Sequence, residues 1–240
     1  MSREEFKIET QLVQGSGEFT EGQPRVYPIY QTTTYDYNSP EVLAELFDLK
    51  RDGYMYSRIG NPTVTAFEEK IAQLEKGVGA LALASGQAAN VTAILNICGC
   101  GDHIVSLATI YGGTANLFKS TLKKYGITAT FVSPEASEEE IKTAFQENTK
   151  VLFGETLGNP EMNVIDFEKL VRVGKEKGVP VIVDNTLASP YLCNPIEYGV
   201  NIVTHSATKY IDGQGAAVGG PIALVEEGDI IKINIPEMTL

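Results

Sequence analysis

The chain has 240 residues, 43% hydrophobic and 21% charged, with a formal net charge of -12. That composition suits a globular protein with a substantial core, and the acidic balance argues against a nucleic-acid partner, which needs a basic face. No apolar run approaches the roughly 20 residues that cross a bilayer, and Met1-Ser2-Arg3-Glu4-Glu5-Phe6 lacks the apolar stretch of a secretory signal, so no membrane partner and a cytoplasmic setting are expected.

Residues 1–60 are rich in Gln, Thr, Tyr and Gly and show little periodicity. Val26-Tyr27-Pro28-Ile29-Tyr30 and Tyr54-Met55-Tyr56-Ser57-Arg58 carry aromatics that a disordered tail rarely keeps. This segment reads as an ordered N-terminal arm that packs on a neighbouring subunit. Residues 61–240 read as one α/β domain. Asn61 caps a helix, Pro62 suits its first position, Phe67, Ile71 and Leu74 share a face, and Gly77 stops it. From Gly79 onward apolar strands near 80–84, 103–107, 127–132, 150–154, 179–183, 201–205 and 219–225 alternate with helical segments. Ser137-Glu138-Glu139-Glu140 reads as a capping box. Asp166 to Lys177 is a helix with Phe167, Leu170 and Val171 on one side and Gly178 as its stop. Such alternation implies a mainly parallel sheet, with ligands beyond the carboxyl ends of its strands. Val225 to Asp229 fits a further strand and turn. The three cysteines, Cys98, Cys100 and Cys193, do not suggest a disulfide framework, and Cys98-Gly99-Cys100 is too tight for zinc. They read as small buried or semi-buried thiols in a reducing compartment, and no metal is expected.

Polar groups follow five of these strands: Ser85-Gly86-Gln87, Tyr111-Gly112-Gly113, Glu155 with Asn159-Pro160, Asp184-Asn185-Thr186, and Ser206 with Thr208 and Lys209. An amine, an acid and hydroxyl donors at one end of a sheet suit pyridoxal 5'-phosphate (PLP). Gly86 and Gln87 open a helix whose free N–H groups hold a phosphate, and Ser206 and Thr208 add donors. Tyr111 stacks on the ring, Asp184 pairs with the ring nitrogen, and Lys209 carries the cofactor on its amine. Taken singly, a Ser-Gly turn, an Asp cap or a solvated Lys is ordinary; the order and spacing of the set carry the reading. No Gly-x-Gly-x-x-Gly opens a first helix, which weighs against a dinucleotide fold.

Tyr56-Ser57-Arg58-Ile59-Gly60-Asn61-Pro62-Thr63, Ser85-Gly86, Tyr111-Gly112-Gly113, Val183-Asp184-Asn185-Thr186 and Ser206-Ala207-Thr208-Lys209-Tyr210 together resemble the Cys/Met-metabolism family of fold-type I PLP enzymes, from about Gln11 to Gly220. The resemblance implies an aspartate-aminotransferase-like large domain with a mostly parallel sheet, catalytic roles for Lys209, Tyr111 and Asp184, and cofactor contacts from Ser85, Gly86, Gln87, Asn159, Ser206 and Thr208. It implies that Tyr56 and Arg58 reach the phosphate of a neighbouring subunit's cofactor, hence a homo-oligomer, dimer or tetramer. Within the family, Ala84 to Ala89 and Phe153 to Pro160 are similar to members that sulfhydrylate O-acetyl-L-homoserine with sulfide or a thiol in methionine biosynthesis. Cystathionine γ-synthase and γ-lyase activities, and an inactive oligomerising fragment, are the alternatives. Methionine γ-lyases carry Cys where this chain has Gly113. Measured against the family, the chain is expected to lack the small C-terminal domain and its carboxylate-binding arginine, since Lys232 is the single cation after Gly220; Gln214 also stands where close relatives carry His.

Overall fold

The structure, a computed structural model, describes residues 6–14, 22 and 24–224; Val225 to Asp229 and Lys232 lie outside them. It divides the chain into two compact units, Met1–Lys70 and Ile71–Leu240.

The first unit holds α1 (Ile8–Val13), α2 (Pro40–Phe47) and the start of α3 (Pro62–Glu75). The two short helices were not legible as periodic segments: α2 runs for eight residues from Ser39-Pro40 and buries one side chain, Leu46. The Asn61 cap forms as its sequence suggests, with Oδ1 accepting the Thr63 N–H at 2.9 Å. The same amide also donates to Tyr30 O (2.9 Å), Tyr35 Oη (3.1 Å) and Ser57 Oγ (3.0 Å). One buried side chain thus ties three points of an otherwise irregular segment, which satisfies backbone groups that no helix or sheet serves. Tyr35 and Tyr54 pack with ring centroids 5.8 Å apart.

In the second unit the strands are β1 (Gly79–Leu83), β2 (His103–Leu107), β3 (Thr128–Val132), β4 (Thr149–Glu155), β5 (Val181–Asp184), β6 (Ile202–Thr204) and β7 (Gly220–Leu224). They form one sheet in the order β1-β7-β6-β5-β4-β2-β3. β7 runs antiparallel to both β1 and β6, and the other pairings are parallel. Each apolar run seen in the sequence becomes one of these strands. The helices are α4 (Gly86–Ile97), α5 (Gly112–Asn116), α6 (Glu138–Thr143), α7 (Phe167–Lys177) and α8 (Ser189–Leu192). Ser137 and Glu140 close the expected capping box on α6, and Asp166 caps α7 before Gly178 ends it in the left-handed region.

Side chains alternate across a strand, and this sheet buries both faces. Ile104, Phe153, Ile182, Ile202 and Ile222 meet Ala89, Ala93 and Ile94 of α4 in one core. The alternate residues Val105, Leu152, Val183 and Val203 are equally buried, as are Leu170 and Val173 of α7, which packs against β5. Among the cysteines, Cys98 is buried, with its thiol pushed up to about 12 chiefly by desolvation. Cys193 is half-buried, but Cys100 is exposed, because it follows the end of α4 at a surface turn, which corrects the expectation of three sheltered thiols. No helix among the described residues is long and apolar enough to cross a membrane.

The second face ends in polar side chains. Glu75 and His205 are fully buried and pair through Oε1 and Nε2. Asn185 donates to the same Glu75 oxygen at 3.1 Å and to Cys193 O at 2.8 Å, and accepts from Thr156 Oγ1 at 2.7 Å. Replacing Glu75 with Leu strips the acceptor from the His205 ring and the Asn185 amide, and each unsatisfied buried group costs about 1–3 kcal/mol. Urea denaturation of Glu75→Leu should therefore show a lower midpoint with an unchanged slope; a midpoint within error of the parent's would contradict this account of the network.

Candidate active site

β4, β5 and β6 are neighbours, and their carboxyl ends fall level: Glu155 pairs in register with Asp184, and Asp184 with Thr204. Polar residues there alternate like the apolar ones before them. Glu155, Asp184 and Thr204 share the parity of Phe153, Ile182 and Ile202 and face α4, whereas Thr156, Asn185 and His205 form the Glu75 network behind. On the α4 side lies a cavity of about 290 Å3.

One wall is the amino end of α4. Ser85 is its N-cap, with Oγ accepting the Ala88 N–H at 3.1 Å. The Gly86 and Gln87 N–H groups precede the helix's own ladder. Two close approaches shape this turn. A Cβ on Gly86 would stand 2.7 Å from Ser206 Cβ, and one on Gly220 would stand 2.5 Å from the Ser85 carbonyl carbon and the Gly86 nitrogen. Both positions thus need glycine for backbone to pass over backbone.

The floor is a hydrogen-bonded chain around Asp184. Its Oδ2 accepts from Asn90 Nδ2 at 3.1 Å, and its Oδ1 from the Thr186 N–H at 3.1 Å and from Thr186 Oγ1. Thr186 Oγ1 in turn accepts the Ser206 N–H at 2.7 Å, and Asn90 Oδ1 accepts from Thr204 Oγ1 at 2.6 Å. Gln87 Nε2 joins through Thr114 Oγ1 at 2.9 Å. Three donors therefore converge on this one carboxylate. Glu155 differs. It is buried and accepts one bond, from the Tyr111 N–H at 2.7 Å. Burial first, then the facing Asp184 charge, push its carboxyl up to about 8, partly offset by that N–H.

Nine residues given a cofactor role from the sequence line this one cavity: Ser85, Gly86 and Gln87, Tyr111, Asn159, Asp184, and Ser206, Thr208 and Lys209. Tyr111 is half exposed, and its ring lies where a Cβ on Gly113 would come within 2.5 Å of Cε1. Thr208 Oγ1 accepts the Gly219 N–H at 3.2 Å, and Lys209 is exposed at the cavity edge. Tyr56 and Arg58 belong to the first unit, where the Arg58 guanidinium lies 5.2 Å from the Tyr56 ring centroid. Glu155 and Thr186, named from the sequence as polar residues after strands but given no role there, line it too, and Asn90, Leu157 and Leu187 line it without having been named. Asn90 had a detectable signal, since it stands one helical turn after Gly86 and so shares its face. Among the described residues no His, Cys, Asp or Glu group is arranged to hold a metal ion.

A family model described as Cys/Met metabolism PLP-dependent enzyme matches residues 9–235. A curated homocysteine/cysteine synthase of Kluyveromyces lactis is 50% identical over 215 residues, 89% of this chain and 48% of that protein. An L-methionine gamma-lyase of Fusobacterium nucleatum subsp. nucleatum is 40% identical over 215 residues, 88% of this chain and 54% of that one. The chain thus spans about half the length of the curated relatives it matches. A Campylobacter jejuni crystal structure, assigned as an O-acetylhomoserine (thiol)-lyase and carrying an N'-pyridoxyl-lysine-5'-monophosphate, superposes with a TM-score of 0.87 at 35% identity, covering 92% of this chain and 55% of that one. The sheet is that of a fold-type I large domain. The donor set suits PLP: a glycine-walled helix start with hydroxyls for a phosphate, a three-donor carboxylate for a pyridinium, and an amine for an aldehyde.

Because the Glu155 carboxyl is raised in the folded chain, the native state holds a proton there that the unfolded chain releases between about 4.5 and about 8. Stability from this group is present at low pH and lost as pH rises through that window. Glu155→Gln removes the titration, so its melting temperature relative to the parent should climb from about pH 5 to about pH 8; a difference that stays flat would refute the assigned proton.

Proposed function

The chain belongs to the Cys/Met metabolism PLP-dependent enzymes, and on that premise we propose that it serves the replacement of acetate in O-acetyl-L-homoserine by sulfide or a thiol, giving homocysteine or methionine. The observation that carries this reading is the convergence of nine sequence-selected residues on one cavity. Two names support the chemistry: one relative is a homocysteine/cysteine synthase and one structural neighbour an O-acetylhomoserine (thiol)-lyase.

When bound, PLP supplies an electron sink conjugated to the substrate nitrogen, which makes the protons on Cα and Cβ removable. In this reading the Gly86 and Gln87 amides, with Ser85, Ser206 and Thr208, hold its phosphate. Asp184 holds the pyridinium N–H, and Asn90 and Thr186 keep that carboxylate oriented. Asn159 would hold the phenolic oxygen, and Tyr111 would cover the ring and exchange protons near the substrate. Lys209 bears the cofactor and, once its amine is free, takes the proton from substrate Cα. The net change would be substitution at Cγ, with acetate released, the thiol sulfur bound in its place, and the protons removed from Cα and Cβ returned to the product.

Residues 1–60 are assigned as an arm on a neighbouring subunit, with Tyr56 and Arg58 reaching that subunit's phosphate, and 61–240 as the PLP-binding domain of a dimer or tetramer. Val26, Ile29 and Leu49 of this arm are each more than 80% exposed, apolar surface of the kind that another chain covers. A reducing cytoplasm belongs to the same reading, supported by three unpaired thiols.

A γ-lyase is the second reading, favoured by the Fusobacterium relative. Gly113 weighs against it, because a larger residue there displaces the Tyr111 ring. With O-acetylhomoserine and sulfide, the replacement enzyme yields homocysteine and acetate, whereas a lyase yields a 2-oxo acid and ammonia. Borohydride reduction in the presence of PLP, followed by peptide mass spectrometry, should place the pyridoxyl group on Lys209 and find none in Lys209→Ala. A pyridoxyl group on a different lysine would overturn the assignment.

A further inference from the structure

Glu155 borders the cavity, yet the mechanism above gives it no task. It ends β4 in register with Asp184, is 7% exposed, and spends Oε1 on the Tyr111 N–H at 2.7 Å. Tyr111 stands immediately before α5, and its carbonyl accepts the Ala115 N–H at 2.9 Å. The main chain of Tyr111 is thus tied forward to its own helix and sideways to the sheet. Only the second tie reaches the strands that carry the acid and, through β6, the lysine. The Tyr111 side chain is half exposed and rests beside Gly113, which has no side chain to hold it. The position of the ring therefore depends on where the backbone is fixed.

We propose that Glu155 is a positioning residue: its carboxyl clamps the Tyr111 main chain to the end of β4, and so sets the aromatic ring beside Asp184 at the cavity. The part of this that concerns a bound ring rests on the PLP reading; the clamp itself does not. The groups facing Glu155 are the Asp184 carboxylate from β5 and the Tyr111 N–H from the start of α5, and Lys209 borders the same cavity from the loop after β6. With its proton on, Glu155 adds no second charge next to Asp184, so it can hold Tyr111 without competing for a cation bound there. A carboxyl does this better than a lysine or an arginine, which cannot accept an N–H.

The test uses the full 240-residue chain in two measurements. Amide hydrogen exchange without PLP reads the clamp. Glu155→Ala should speed exchange at the Tyr111 N–H about tenfold, while Glu155→Gln, whose amide oxygen still accepts, stays within about twofold of the parent. The β5 amides serve as a control and should not change. Unchanged Tyr111 exchange in Glu155→Ala, or equal acceleration at Val183, overturns the clamp. PLP titration followed by absorbance reads the consequence: affinity should fall about tenfold in Glu155→Ala and be restored in Glu155→Gln. Equal loss in both variants overturns the positioning role. A parent chain that takes up no PLP counts against the functional reading, and the exchange data then decide the clamp alone.

Discussion

Successive side chains on a strand point to opposite sides of a sheet, and at the carboxyl ends of β4, β5 and β6 that rule separates two polar systems one residue apart. Glu155, Asp184 and Thr204 turn toward α4 and the cavity, and Thr156, Asn185 and His205 turn toward Glu75. The backbone ladder continues one step past the strands, through Thr156 N–H to Asp184 O and Asn185 N–H to Thr204 O, each bond 3.0 Å or shorter. The buried network behind and the cavity in front thus share the peptide units that join Asp184 to Asn185.

The two carboxyls at the cavity show how environment, rather than residue type, sets chemistry. Asp184 has an amide, a backbone N–H and a hydroxyl around it; Glu155 has a single N–H and the Asp184 charge opposite. A negative charge is costly on Glu155, where burial and the facing carboxylate both oppose it. Both carboxyls border the one cavity, with Lys209 at its edge.

Much of this was legible in the sequence because the signals are local. Val181-Ile182-Val183 is a buried strand by composition, Ser137 and Glu140 announce a cap, and Ser85-Gly86 and Asp184 stand where a sheet of this kind presents its ligands. What escaped depends on partners distant in the chain. Asn90 lies in an Ala- and Ile-rich helix, and its value comes from Asp184 and Thr204, which folding brings to it. Glu155 was visible as a residue after a strand, but its proton and its hold on Tyr111 follow from neighbours on β5 and α5. The α2 helix escaped for the opposite reason: eight residues with a single buried side chain make too short a pattern to register.

β7 has a consequence for how the protein is made. Among the described residues β1 lies at the edge of the sheet and pairs with β7 alone, and Gly220 is the residue that presses on the Ser85–Gly86 peptide. On a ribosome the chain emerges in order, so β2 to β6 can assemble as a parallel block while β1 still has no ladder. The turn at the start of α4 gains its Gly220 contact only once β7 lies between β1 and β6. A nascent chain that has not reached residue 220 carries β1 without the strand that pairs with it and the Ser85–Gly86 turn without its Gly220 contact, an open edge of the kind that invites wrong pairing.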